Sequence, residues 1–204
     1  MNRYWRAFLA VMAIASVLMT GCMGRVKYPT YYRLSLAPAA DPPAQKGAIA
    51  SIAVHEFRAP TYLRQGPIVY QVSPDQIGFY EYHRWAVDPR QAITDAVVEH
   101  LRASRNFKSV KIYDGRNDVD YILTGRLEKL DEVDYEGGVQ VEVALSAQLT
   151  DLHSGNTVWV NSATERAKVE GHNVSAIVAQ MSSLTDRSIE QLLRSLPPLT
   201  TGRP

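Results

Sequence analysis

The strongest constraint on the fold is a long alternating stretch late in the chain, GGVQVEVALSAQLTDL. From Val139 to Leu149 every second residue is apolar, and the residues between are mostly polar. Successive side chains of a β-strand point to opposite faces, so this pattern predicts a strand with one face in the core and the other in water. Turn residues stand on both sides, at Gly137-Gly138 and at His153-Ser154-Gly155-Asn156. The stretch is therefore predicted to be the middle strand of a three-stranded antiparallel meander.

Other segments carry shorter strand patterns of apolar and aromatic residues. The turn sequence Ser73-Pro74-Asp75 separates two of them and predicts a hairpin. The predicted strands outside the alternating stretch are residues 31–36, 48–57, 68–72, 77–83, 110–113, 121–130 and 157–169.

Two segments carry helix signals. Asp88 can cap a helix that begins at Pro89, with Gln91 at the capping-box position, and this helix is predicted to end near Ser104. Asn173 can cap a second helix, which two prolines end at residue 197. The elements predict a single α+β domain over residues 31–196, in which two amphipathic helices pack on one twisted, mostly antiparallel sheet. Residues 197–204 are predicted to be a flexible tail.

The sequence lacks the common catalytic and metal-binding patterns. No nucleophile elbow or phosphate-binding glycine loop is present, and no two histidines have the spacing of helical metal ligands. The five histidines are His55, His83, His100, His153 and His172. The formal net charge is +1, and no basic stripe suggests a nucleic-acid partner. We therefore expect a protein without catalytic or metal-binding residues, and a periplasmic hydrolase is disfavoured.

An acidic run, Asp131-Glu132-Val133-Asp134-Tyr135-Glu136, could attract a cation. It lacks the regular oxygen-ligand loop of a calcium site. The favoured interpretation is a solvated hairpin tip.

The only cysteine, Cys22, follows a segment with the layout of a secretory signal. Residues 1–6 include two arginines and no acid, residues 7–20 carry no charge, and Gly21 precedes the cysteine. This layout predicts a signal peptide over residues 1–21, too short to be read as a membrane span. An internal disulfide is excluded because the chain has no second cysteine.

The segment Leu18-Met19-Thr20-Gly21-Cys22 resembles the bacterial lipobox. The resemblance implies a diacylglycerol and an N-acyl chain on Cys22, with residues 22–30 as a lipidated tether, and no other cofactor. Met23 follows the cysteine where inner-membrane lipoproteins of enteric bacteria mostly have Asp, which favours the periplasmic face of the outer membrane. The alternative is an ordinary secreted protein with an incidental cysteine.

Three short motifs follow this lipobox in a characteristic order. Tyr31-Tyr32-Arg33-Leu34 comes first, then Tyr62-Leu63-Arg64 ahead of Ile68-Val69, then Arg84-Trp85-Ala86 before the capped helix. Their order resembles that of the ABC-type transport auxiliary lipoproteins, the family that includes the lipoprotein of the paraquat-inducible operon.

The resemblance implies a non-catalytic accessory subunit of an ABC lipid transport system with mammalian-cell-entry (MCE) domain subunits. The lipoprotein would dock the component that spans the periplasm, while its acyl chains hold it on the outer membrane. An exposed sheet edge would also allow a homo-oligomer. The alternative is an accessory lipoprotein of envelope assembly or of a secretion pore.

Five residues are candidates for partner binding. Tyr62, Leu63 and Arg64 are predicted to form part of a binding edge. Arg84 and Trp85 have the chemistry of an interface hot spot, but a structural role, locking the corner between strand and helix, is the favoured interpretation. Direct lipid carriage would require a sizeable apolar cavity.

Overall fold

The computed structural model describes residues 4–5, 27–38, 50–116, 118–135, 137–171, 173–197 and 199. Cys22, the rest of the predicted lipobox, His172 and most of the predicted tail lie outside the described residues. From residue 27 onward the described residues form strands β1 Thr30–Tyr32, β2 Ser51–Val54, β3 Pro67–Ser73, β4 Gln76–Trp85, β5 Ser109–Ile112, β6 Tyr121–Val133, β7 Gln140–Asp151 and β8 Thr157–Lys168, and helices α1 Pro89–Ala103 and α2 Val174–Arg194. A short 3-10 helix, Thr61–Arg64, precedes β3. None of the helices in these ranges is long and apolar enough to cross a membrane.

Strand β6 is the centre of the sheet. Its first residues pair in parallel with β2, and its last residues pair in parallel with β3. Along its other edge, β6 pairs with β7 over its whole length, and β7 pairs in turn with β8. The sheet continues from β2 to β5, and from β3 through β4 to β1. One long strand therefore joins two smaller groups of strands.

The predicted α+β class and the single domain with two helices are confirmed. The sheet is mixed: among the described strands, β1–β4, β2–β5, β2–β6 and β3–β6 pair in parallel. The longer pairings are antiparallel, and they are the predicted hairpin, β3–β4, and the predicted meander, β6–β7–β8. Of the predicted strand 48–57, the structure describes residues 50–57, and among these only Ser51–Val54 form β2, which pairs with β5 throughout and with β6 from Ile52 onward.

Both predicted helix caps are present. The Asp88 side chain accepts a hydrogen bond from the Arg90 backbone N–H at 2.9 Å, and Asn173 accepts one from the Ser175 N–H at 2.9 Å. Each cap satisfies one of the backbone donors that a helix leaves free at its start. Helix α2 packs on β7 and β8, and α1 packs on β2 and β5. The helices thus cover one face of the sheet.

Phe57 connects α1 to the sheet, because its ring packs on β6 and its backbone binds a side chain of α1. Phe57 is fully buried against Gly125 of β6, and a Cβ atom at position 125 would overlap the ring. The Phe57 backbone N–H donates to Thr94 Oγ1 of α1 at 3.0 Å. Glycine at position 125 therefore leaves the space that the ring occupies.

The face of the sheet away from the helices carries a row of charged side chains. Asp131, Glu142 and Arg166 are cross-strand neighbours on β6, β7 and β8. Glu142 accepts hydrogen bonds from Lys129 Nζ at 3.0 Å and from Arg166 Nη2 at 2.9 Å. Asp131 Oδ2 accepts one from Gln71 Nε2 at 2.8 Å, whereas its buried Oδ1 has no hydrogen-bond partner among the residues the structure describes.

The prediction of a solvated tip for the acidic run is wrong at its first two positions. Asp131 and Glu132 are only 0% and 1% exposed. Strand β6 extends to Val133, beyond the predicted end at residue 130, and β3 and β7 cover its last residues from both sides. Glu142, predicted on the wet face of its strand, is also buried. Alternation shows which face a side chain is on, but not what covers that face.

The two neighbouring carboxylates have opposite pKa shifts. Burial raises the pKa of Asp131, although hydrogen bonds from Gln71 and Tyr62 oppose the shift. Burial acts in the same direction on Glu142, but hydrogen bonds from Lys129 and Arg166, together with their charges, outweigh it and hold the pKa of Glu142 below its ordinary value. The charge on Glu142 is well compensated, whereas the hydrogen bonds to Asp131 and the charge of Lys129 do not outweigh the effect of its burial.

We predict opposite effects of neutralising these two acids. The raised pKa of Asp131 means that folding favours its protonated form, so its contribution to stability is present at low pH and is lost as the pH rises through the raised value. Asp131→Asn should remove this loss and leave the protein at least as stable as the wild type at neutral pH. Glu142→Gln should lower the free energy of unfolding by about 1–3 kcal/mol at neutral pH, because it removes hydrogen bonds to two cations. The wild type should lose the stability contributed by Glu142 as the pH falls through the depressed pKa of that residue. Glu142→Gln should lack this pH dependence.

Urea unfolding from acid to neutral pH measures both effects. The matched comparison is between the two variants, since each replaces a carboxylate by the amide of the same shape. If Asp131→Asn lost as much stability at neutral pH as Glu142→Gln, the opposite pKa shifts assigned to the two acids would be contradicted.

Candidate partner-binding corner

The five residues predicted to bind a partner lie together at one corner of the sheet. We define the corner as residues 61–67 and 84–88. The 3-10 helix Thr61–Arg64 leads into β3, whose first residue, Pro67, pairs with Arg84 near the end of β4. The two segments thus meet at the point where α1 begins.

Two hydrogen bonds join the two segments of the corner. The Trp85 backbone N–H donates to Gly66 O at 2.7 Å, and Arg84 Nη2 donates to Gln65 O at 3.2 Å. Gly66 has a φ of +96°, in the left-handed region that favours glycine. A Cβ atom there would lie 3.1 Å from Arg84 Nη2. Glycine therefore allows both the turn and the close approach of the guanidinium group.

Two of the five candidates lie in the core. Leu63 is 2% exposed and Trp85 is 7% exposed, and both belong to the main apolar cluster. Their burial does not agree with direct contact to a partner, because so little of either side chain reaches the surface. The arrangement supports the corner-locking role of Arg84 and Trp85, and partner binding by the corner stays a prediction.

Tyr62 connects the corner to the buried acids. Its hydroxyl donates to Asp131 Oδ2 at 3.3 Å and lies 3.4 Å from the backbone oxygen of Glu128. Burial, the charge of Asp131 and the hydrogen bond to it raise the pKa of Tyr62. The tyrosine therefore stays a neutral donor that holds the 3-10 helix against β6, with its ring half-buried.

Arg64 supplies the exposed positive charge of the corner. Its Nη2 donates to Thr61 Oγ1 at 3.2 Å, within the same helical turn. Burial acts to raise the pKa of Asp88, but the hydrogen bonds from Arg90, followed by the charges of Arg90 and Arg64, hold it below its ordinary value. Arg64 thus lies close enough to Asp88, at the start of α1, for their charges to interact, and it is exposed whereas Arg84 is half-buried.

The corner also contacts the N-terminal strand. Tyr31 and Tyr32 of β1 pair in parallel with Arg84 and Trp85, and the Ala86 N–H donates to Tyr32 O at 2.6 Å. The chain then crosses α2, where the Ser35 N–H donates to Ser182 Oγ at 3.1 Å. The candidate site therefore adjoins the first described residues after the predicted lipidated cysteine.

The chain after β1 and helix α2 border a shallow groove of about 460 Å³. Its lining combines polar and charged residues, among them Arg33, Ser35 and Asp186, with Val178 and Ala179. This shallow, mixed groove is not the sizeable apolar cavity that direct lipid carriage would require. Within the described residues no group of three or more His, Cys, Asp or Glu side chains is arranged to hold a metal ion.

The sequence did not indicate Asp131 or Gly66 as parts of this site. Gly66-Pro67 is a turn signal, so the bend at Gly66 could have been anticipated. The contact between Tyr62 and Asp131 spans 69 residues. No local pattern could have predicted it.

Comparison with known proteins places these features in a family. A family model described as the ABC-type transport auxiliary lipoprotein component matches residues 32–192. No curated protein matches the chain.

Several solved structures are similar in fold. A crystal structure of a Xanthomonas campestris protein of family DUF330 is 16% identical, covering 80% of this chain and 92% of that chain, with a TM-score of 0.70. The structure of an uncharacterized protein is 17% identical and covers 82% of this chain and 97% of that chain, with a TM-score of 0.63. A PelC dodecamer from Paraburkholderia phytofirmans is more distant, with 18% identity, coverages of 74% and 91%, and a TM-score of 0.44. The first two likenesses show the fold alone. The family model, in contrast, spans most of the sequence, from Tyr32 in β1 to Leu192 in α2, and the chain belongs to the ABC-type transport auxiliary lipoprotein family.

Proposed function

We propose that the mature protein is a non-catalytic, lipid-anchored docking subunit of an ABC lipid transport system, facing the periplasm from the outer membrane. The observation that carries the proposal is the position of the family match. It begins at residue 32, ten residues after the lipobox cysteine, Cys22. An auxiliary transport domain therefore follows a lipid-attachment motif with only a short tether between them.

In the proposed anchor, Cys22 carries a diacylglycerol on its sulfur and an acyl chain on its amino group. Each buried methylene contributes about 0.8 kcal/mol, so one chain binds reversibly whereas several chains hold the protein on the membrane. Met23 after the cysteine supports the outer membrane as the destination.

In the proposed docking, the corner contacts the MCE-domain protein that spans the periplasm. Arg64 and Arg84 would face acidic side chains or backbone carbonyls of the partner. Trp85 and Leu63, locked in the core, keep these cations in a fixed place, which lowers the ordering cost of binding. The acyl chains and the protein contact would then act together, because the first engagement raises the effective concentration for the second.

A homo-oligomer would be compatible with this arrangement. Strand β8 is twelve residues long, and no described strand pairs with its outer edge. A free edge of this length can pair with another chain.

The anchor is tested by Cys22→Ser. In cells of the source organism, the wild-type protein should fractionate with the outer membrane, and mass spectrometry should find three acyl chains at its amino terminus. The variant cannot form the thioether, so we expect it to lose the lipid and leave the outer-membrane fraction. An unlipidated wild-type protein would contradict the proposal.

The docking is tested by charge reversal at Arg64. Tagged wild-type protein should capture the MCE-domain protein from solubilised membranes, and Arg64→Glu should lower the recovery about tenfold, the effect of roughly 1.4 kcal/mol. Arg194→Glu is the matched control, since Arg194 is an exposed arginine at the end of α2.

Thermal unfolding of both variants checks that the fold is kept. Equal recovery with the two variants would remove the corner from the interface. Capture of a secretion-pore subunit instead of an MCE-domain protein would favour the alternative class of accessory lipoprotein.

A further inference from the structure

Exposed apolar side chains concentrate at one end of the domain. From residue 27 onward, the described chain has nine large apolar or aromatic residues that are exposed. Four of them lie before β1 or near the turn of the β3–β4 hairpin, and we call this group the aromatic edge: Tyr28, Val72, Ile77 and Phe79. Tyr28 is 79% exposed. Such a concentration on a water-soluble surface points to a binding surface.

The pairing of β1 shows where the tether leaves the domain. Because β1 is parallel to β4, the chain reaches Thr30 from the side of the hairpin turn at residues 74–75. Lys27 still follows β4, since its Nζ lies 4.4 Å from the centre of the Tyr82 ring. Residues 27–30 therefore lie along β4, with residue 27 nearer to the end of the hairpin that carries Ile77 and Phe79.

The length of the tether limits how far this end can be from the bilayer. Four residues, 23–26, separate Cys22 from Lys27. An extended chain spans at most about 3.5 Å per residue, so Lys27 lies within roughly 18 Å of the lipidated cysteine. Strand β3, which pairs along the hairpin, is seven residues long and spans about 23 Å. The hairpin end can therefore reach the membrane surface while Cys22 is held in it.

The chemistry of the aromatic edge suits a bilayer interface. Tyrosine has an apolar ring and a polar hydroxyl, and it is enriched where lipid headgroups meet acyl chains. Lys27 adds a cation that anionic headgroups attract. The hairpin also carries Asp75 and Glu81, so charge gives little net attraction and apolar contact must supply most of it.

We propose that the aromatic edge rests in the headgroup region of the membrane that holds the acyl chains of Cys22. This inference depends on the lipid anchor of the proposed function. It adds an orientation: the hairpin end faces the bilayer, and the opposite end of the sheet faces the periplasm.

A fluorescent label at the aromatic edge tests this orientation. Acylation blocks the sulfur of Cys22, so Phe79→Cys in the mature lipoprotein offers a single free thiol for the dye NBD. The matched control is Val160→Cys on β8, because Val160 is 69% exposed and pairs with Gln148, which faces Thr124 near the start of β6. That part of the sheet lies away from the hairpin turn, since β6 is parallel to β3 and both run toward it.

The labelled proteins are bound to vesicles of phosphatidylethanolamine and phosphatidylglycerol that contain phosphatidylcholine spin-labelled near its headgroup. We expect at least severalfold stronger quenching, and a blue shift, for the label at Phe79 than for the label at Val160. Equal quenching at the two positions, or none at either, would overturn the proposal. Ile77→Cys repeats the test if Phe79→Cys does not fold.

Vesicle flotation separates this proposal from the anchor. If the wild-type lipoprotein does not float with the vesicles, the proposed anchor fails. If it floats but the label at Phe79 is not quenched, the orientation alone fails. A label that becomes shielded only when the MCE-domain protein is added would identify that protein as the occupant of the aromatic edge and overturn the membrane contact.

Discussion

Backbone hydrogen bonding along both edges of β6 is the constraint on which the rest of the structure depends. One edge pairs with β7 throughout, and the other is shared by β2 and β3. In the segment that connects β2 to β3, the chain remains hydrogen-bonded to β6. The Arg58 N–H donates to Gly125 O at 3.0 Å, and the Leu127 N–H donates to Arg58 O at 2.8 Å. The path of residues 55–60 along β6 therefore determines where the 3-10 helix begins, and so where the corner lies.

The corner combines a rigid base with a polar surface. The buried side chains of Leu63 and Trp85 hold the backbone of the corner against the core. The Tyr62 hydroxyl binds the carboxylate of Asp131. The arginines and part of the tyrosine ring then remain for contact with another molecule. Burial of the Asp131 carboxylate costs stability, because its hydrogen bonds do not fully offset the loss of hydration. A local cost of this kind is common at functional sites.

The sequence predicted those parts of the fold that depend on local chemistry. The alternation from Val139 to Leu149 identified β7 and its buried face, and Asp88 and Asn173 identified both helix starts. The parallel pairings were not predicted, because a strand pattern does not specify its neighbours. Burial of Asp131 and the fit of Phe57 on Gly125 also depend on distant segments. At the corner, the motifs identified residues that do lie together, but a four-residue helical turn gives no periodicity from which to tell that Leu63 points inward.

The parallel alignment of β1 with β4 has a mechanical consequence. Residues 27–29 extend from β1 back along β4 toward the hairpin end, so tension transmitted through them acts parallel to β1. Such tension loads the three residue pairs of β1–β4 in shear, together, whereas an outward pull would peel them apart one at a time. Beyond β1, the Ser35–Ser182 and Ala37–Asp186 hydrogen bonds resist the same force. If the proposed lipid anchor holds the chain at Cys22, the domain would therefore resist tension without unravelling from its N-terminal end.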